Sequence, residues 1–121
     1  GGVDIYCATG GIINPLGTLK ILIKNRFYIP PGFKATVHPR SRTATRGLCV
    51  HTTVIDAEYS GEVYIVVTNL TRLPITYSEN ERLAQLIFSP VTPVFFKVSD
   101  VFVKLMDETS RGTNGFGSTG V

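Results

Sequence analysis

The sequence predicts an all-β domain built as a sandwich, jelly roll or barrel. Three observations carry this. Apolar and polar residues alternate at period two in several short segments, Gly, Pro, Asn and Ser separate those segments at close intervals, and no long stretch carries a helical apolar stripe. The chain has 121 residues, 43% of them hydrophobic and 17% charged, which is enough for one globular domain with a sizeable core.

The strands can be justified in order. Leu19, Ile21 and Ile23 form the first row, flanked by Lys20 and Lys24. Pro30-Pro31-Gly32 then makes a turn, because proline presets φ and glycine admits the left-handed region. Phe33, Ala35 and Val37 alternate with Lys34, Thr36 and His38 as a half-buried strand. Ser41 to Thr45 suits one helical turn, although Thr43 and Thr45 are poor helix formers. After the Ser60-Gly61 turn, Val63, Ile65 and Val67 alternate with Tyr64, Val66 and Thr68, with Val66 making the second face partly apolar. Leu73, Ile75 and Tyr77 give a short strand that Glu79-Asn80 ends, and Leu83 to Phe88 reads as a fully buried run stopped near Pro90. Val94 to Val98 and Val101 to Leu105 supply two more strands.

Bulk properties exclude several classes. A formal charge of +3 favours anionic ligands mildly but is far from a nucleic-acid-binding signature. No apolar run is long enough for a membrane span, so neither nucleic acid nor membrane is expected as a partner. No signal-peptide pattern is present, which gives an intracellular expectation, cytoplasmic or nuclear. Cys7 and Cys49 allow one bridge at most and read as reduced, structural thiols. A start at Gly1 rather than Met reads as a trimmed or excised domain.

The loops carry the chemistry in five clusters. Gly1 to Tyr6 opens the chain, and His38-Pro39-Arg40-Ser41 leads into Ala44, Arg46, Gly47 and Leu48. Val54-Ile55-Asp56-Ala57-Glu58-Tyr59-Ser60-Gly61-Glu62 reads as a hairpin arm, where Asp56 can polarise water as a general base. Glu81 to Phe88 opens the buried run. The tail, Arg111-Gly112-Thr113-Asn114-Gly115-Phe116-Gly117-Ser118-Thr119-Gly120-Val121, combines free backbone amides, hydroxyls, one guanidinium and one aromatic. Such a set suits a polyphosphate and a planar ring.

With VIDAEYSGE and RGTNGFGSTG in register, the chain resembles the trimeric-type dUTP pyrophosphatases (dUTPases) along nearly its whole length. The resemblance implies a jelly-roll-like distorted barrel over residues 1–110, a C-terminal phosphate- and uracil-binding tail over residues 111–121, and a homotrimer. In such trimers one subunit supplies the hairpin to each site, a second the phosphate-binding residues and a third the tail. The implied reaction is hydrolysis of dUTP to dUMP and pyrophosphate by water attacking the α-phosphorus.

The same resemblance assigns roles by residue. Asp56 is the base and also bonds the sugar 3′-hydroxyl, and Tyr59 packs under the deoxyribose and excludes a 2′-hydroxyl. Arg40, Ser41 and Gln85 lie near the phosphates, and Asp4 holds waters on a Mg2+ ion that spans the triphosphate. In the tail, Arg111 meets the terminal phosphate, Phe116 covers the uracil, and Gly117, Ser118 and Thr119 make further phosphate contacts.

Four features depart from the family pattern. Arg42 stands where Ser or Gly is usual, Thr53 where Gly is usual before Val54, and Asn80 where Gly is usual before Glu81. The sequence also starts at the opening motif, where the family carries a first strand ahead of it, so part of the sheet is expected to be absent or supplied differently. Two other readings compete: a dCTP deaminase of the same fold, and a catalytically silent module derived from a dUTPase. Val66 stands where the deaminases carry a Glu, and Asp56, Tyr59 and the tail, which a silent module should have lost, are all present.

Overall fold

A computed structural model describes residues 2–95. Up to Pro90 these form one compact unit of antiparallel strands. In chain order they are β1 (Val3–Ile5), β2 (Gly11–Ile13), β3 (Thr18–Leu22), β4 (Phe33–Pro39), the one-turn α1 (Ser41–Thr45), β5 (Leu48–Val50), β6 (Thr53–Ile55), β7 (Tyr64–Asn69), β8 (Ile75–Tyr77) and β9 (Ala84–Pro90). Three sheets result, ordered β1-β9-β4-β6, β3-β7-β5 and β2-β8. Short strands that never join their sequence neighbours in one meander make the jelly-roll-like architecture.

The period-two rows do bury one face. Ala35 and Val37 on β4, Ile65 and Val67 on β7, Ile21 on β3, and Ala84 and Leu86 on β9 enter a common core with Ile5, Ile13, Ile29 and Leu83. Asn69 is fully buried, and its amide is satisfied at every point. Its Nδ2 donates to Ile13 O (3.1 Å) and Leu73 O (2.7 Å), and its Oδ1 accepts from Thr71 N–H (2.9 Å) and Thr71 Oγ1 (2.8 Å). Thus the end of β7 is tied to β2 and to the following turn.

Three expectations change. Leu83 to Phe88 is not buried throughout: β9 has both neighbours as strand partners but only one face on the core, so Ile87 is half-buried and Phe88 is 39% exposed. Leu73 is 73% exposed and precedes β8, because its carbonyl is held in the Asn69 turn instead of a ladder. The Val54 to Glu62 arm is not a hairpin, since β6 pairs with β4 whereas β7 pairs with β3 and β5. The connection crosses between sheets because Glu58 N–H donates to Ile29 O (2.8 Å) and Ala57 packs on the core. Val94 and Phe95 lie in no strand, and the remainder of the two expected C-terminal strands lies outside the described residues.

Candidate active site

Asp4, Gln85 and His38 form one row across the first sheet, because β1, β9 and β4 pair in the register Asp4–Gln85 and Gln85–His38. Gln85 Nε2 donates to Pro39 O (3.2 Å), which fixes the carboxamide at the end of β4. Gly2 permits this close approach, since a Cβ there would stand 2.6 Å from Gln85 Oε1. Asp4 is shared by two guanidinium groups, with Oδ1 3.4 Å from Arg40 Nε and Oδ2 3.2 Å from Arg82 Nη1. Arg40 also donates from Nη1 to Arg82 O (2.9 Å), so the end of β4 and the start of β9 are cross-tied. The backbone at Arg40 is extended (φ −93°, ψ 150°) and turns directly into α1, leaving Ser41 and Arg42 exposed.

Beside this row, α1 and the β8–β9 turn enclose a cleft of about 500 Å³ lined by Arg40, Arg42, Arg46, Arg82 and Glu81 with polar neighbours. Arg46 is ion-paired with Glu81 and donates from Nη2 to Thr76 O (2.8 Å). Glu81 Oε1 in turn accepts from Ser78 N–H (2.9 Å). Thr43 is buried below, its hydroxyl on Leu83 O at 2.7 Å, which anchors the helical turn to β9. Asn80 takes the left-handed conformation (φ 68°) that glycine would otherwise supply, and Lys24 Nζ donates to its side-chain oxygen at 2.6 Å. Cys7 lies behind the turn, with its N–H on Glu81 O, and burial followed by the Glu81 charge pushes its thiol up to about 11. Tyr77 is raised too, by burial first and by Cys7 second.

Asp56 and Tyr59 share one exposed turn just past β6, closed by Tyr59 N–H on Asp56 O at 3.3 Å. The Tyr59 hydroxyl donates to Glu62 O (2.8 Å), so its ring folds back over Gly61 and remains 46% exposed. Glycine lets the ring lie this close, because a Cβ at residue 61 would stand 2.6 Å from Cζ and push the ring aside. Thr53 pairs regularly with Val37 in β6, so a β-branched residue fits that position without strain.

One chain does not bring all the expected residues together. Asp56 lies one residue past the Ala35–Ile55 pair, whereas Asp4 and Gln85 lie level with His38. At about 3.3 Å per residue this separates them by about 13 Å along β4, and Arg40 and Ser41 lie further still. Arg111, Phe116, Gly117, Ser118 and Thr119 lie outside the described residues. Among the described residues, no group of three or more His, Cys, Asp or Glu side chains is placed to hold a metal. No helix there is long and apolar enough to cross a membrane.

Comparison with known proteins settles the family. The dUTPase family profile matches residues 1–120. This chain belongs to the dUTPase family. The deoxyuridine 5′-triphosphate nucleotidohydrolase of Bdellovibrio bacteriovorus is 39% identical over 98% of this chain and 80% of its own length. Among solved structures, a mutant dUTPase from phage phi11 of Staphylococcus aureus, described with a structural Mg(II) ion, shares the fold at a TM-score of 0.74. It is 21% identical, over 82% of each chain. A mutant dUTPase of Staphylococcus bacteriophage 80alpha, solved with dUpNHpp, matches at a TM-score of 0.70 and 21% identity over 82% of this chain and 85% of its own. The all-β, jelly-roll-like dUTPase fold is therefore the fold of this chain.

Sequence reasoning assigned no role to Arg82, Arg46 or Gly61. Arg46 follows Arg42 by four residues, the spacing that puts two side chains on one side of a helical turn. For Arg82 the signal was weaker, since only the register of β1 on β9 brings it to Asp4.

Proposed function

We propose that this chain hydrolyses dUTP to dUMP and pyrophosphate. The observation that carries the reading is the exposed turn on which Asp56 and Tyr59 stand together in a member of the dUTPase family. Asp56 takes a proton from a water molecule as its oxygen bonds to the α-phosphorus. The bond from that phosphorus to the α,β-bridging oxygen breaks, and pyrophosphate leaves with the electron pair. Tyr59, with its ring held over Gly61, packs against the deoxyribose and leaves no room for a 2′-hydroxyl.

Arg40, Ser41 and Gln85 serve the phosphates of a nucleotide whose sugar lies on another copy's Asp56 turn. The 13 Å or so between the two groups along β4 supports this division, and a homotrimer with shared sites accounts for it. The tail, residues 111–121, forms a separate segment that completes each site, with Arg111 on the terminal phosphate, Phe116 on the uracil and Gly117, Ser118 and Thr119 on further phosphate oxygens.

The residues present fit a magnesium ion held through water rather than directly. Asp4 is a single carboxylate whose oxygens already face Arg40 and Arg82, and each retains capacity to accept from a metal-bound water. Such an ion would supply charge neutralisation for the phosphates. Both cysteines are free, which suits a reducing, intracellular setting.

Pyrophosphate release from dUTP tests the reading. The unaltered chain should turn over dUTP, and Asp56→Asn should slow turnover by about a hundredfold or more while nucleotide binding survives. Normal turnover by Asp56→Asn would remove the base assignment.

A further inference from the structure

The arginine-lined cleft carries more positive charge than its carboxylates neutralise, and one of its four arginines has no carboxylate partner among the described residues. Asp4 is shared by Arg40 and Arg82, and Glu81 holds Arg46. Arg40 and Arg46 are further tied to the carbonyls of Arg82 and Thr76. Four guanidinium groups against Asp4 and Glu81 leave a net charge of about +2 at the cleft. Arg42 lines the same space, is exposed, and makes no ion pair or side-chain hydrogen bond among the described residues.

A guanidinium that shares a cleft with three others raises the electrostatic energy there, because no carboxylate among the described residues is paired with it. An anion in the cleft reverses that sign. A guanidinium with all five donors uncommitted matches phosphate oxygens, and a cleft of about 500 Å³ has room for two or three linked phosphate groups. Thr43 below is occupied, its hydroxyl donating to Leu83 O, whereas Thr76 and Ser78 add hydroxyl-bearing residues to the cleft lining.

We propose that Arg42 is a polyphosphate-binding residue, one that strengthens this chain's hold on the outer phosphates of the substrate and on the pyrophosphate product. The proposal deepens the hydrolase reading above and rests on it for the identity of the substrate, but the binding of inorganic pyrophosphate does not require that reading. Arg42 is exposed and outside the buried core, so its replacement should leave the fold in place.

Calorimetric titration of the full chain with inorganic pyrophosphate, alongside steady-state hydrolysis of dUTP, tests it on Arg42→Gln and Arg42→Lys. Arg42→Gln should bind pyrophosphate about three- to tenfold more weakly at low salt and raise KM for dUTP by a similar factor. Arg42→Lys should restore most of the loss, and the gap should close as ionic strength rises toward about 0.5 M, where the screening length falls to a few ångströms. Equal pyrophosphate affinity in the unaltered chain and Arg42→Gln at low salt would overturn the proposal, whatever the hydrolysis data show. Arg42-dependent pyrophosphate binding in a chain that fails to hydrolyse dUTP would overturn the hydrolase reading and leave the cleft assignment standing.

Discussion

Replacing Gly61 with alanine should damage sugar discrimination without damaging the fold. The new Cβ would stand 2.6 Å from Tyr59 Cζ and 3.1 Å from Cε1, with the hydroxyl nearer still. Carbon atoms in contact settle at about 3.5–4.0 Å, so the ring must swing away by roughly an ångström. That movement breaks the hydrogen bond from the Tyr59 hydroxyl to Glu62 O, now 2.8 Å. The bond is exposed, and its loss costs about 0.5–1.5 kcal/mol, a fall of a few degrees in Tm.

The functional effect should be much larger than the stability effect. A displacement of about 1 Å in a positioning group can cost up to about a hundredfold in rate, so the ratio of kcat/KM for dUTP over UTP should fall at least about tenfold. Tyr59→Phe provides the control. It loses the same hydrogen bond but keeps the ring above Gly61, so its Tm should fall by a similar amount while most of the discrimination remains. Steady-state kinetics on both nucleotides and a thermal melt of each variant decide the matter. A Gly61→Ala chain with the original dUTP/UTP ratio would refute the claim that glycine at this point positions the ring.

Two further outcomes are expected. Cys7 is held neutral in the folded chain, with its thiol raised from 9.0 to about 11, so the unfolded chain loses that proton first as pH rises. Stability should be complete below about pH 9 and fall by at most about 2–3 kcal/mol by pH 11, a slope that urea unfolding should find flattened in Cys7→Ala. Site sharing is tested by mixing Asp56→Asn with a chain lacking residues 111–121, each inactive alone. Random co-refolded trimers should regain about a quarter of full activity if Asp56 and the tail of each site come from different chains, and none if they come from the same one.

Much of this architecture was legible because each strand of the core carries its own periodic signal. Ala35 and Val37, or Ile65 and Val67, point inward for the reason that the alternation predicts. Asn80 was equally legible, since its place in a turn before Glu81 required a residue that accepts φ near 68°. What could not be read was anything set by partner choice rather than by local pattern. VIDAEYSGE looks like a hairpin arm because a turn lies between two apolar runs, but nothing in it shows that β6 pairs with β4 and β7 with β3 and β5.

The same limit governs the site. Asp4 and Arg82 are separated by nearly the whole described chain, and only the antiparallel register of Val3–Ile5 on Ala84–Leu86 makes them neighbours. Asp4, which the resemblance gives as holding a metal through water, is also the shared counter-ion of two arginines, a role that nothing in its sequence context shows. The charge ledger that singles out Arg42 depends on the same partners. Its sequence context shows an unusual residue, and only the ion pairs of Arg40, Arg46 and Arg82 show that it is the one cleft arginine without a carboxylate partner among the described residues.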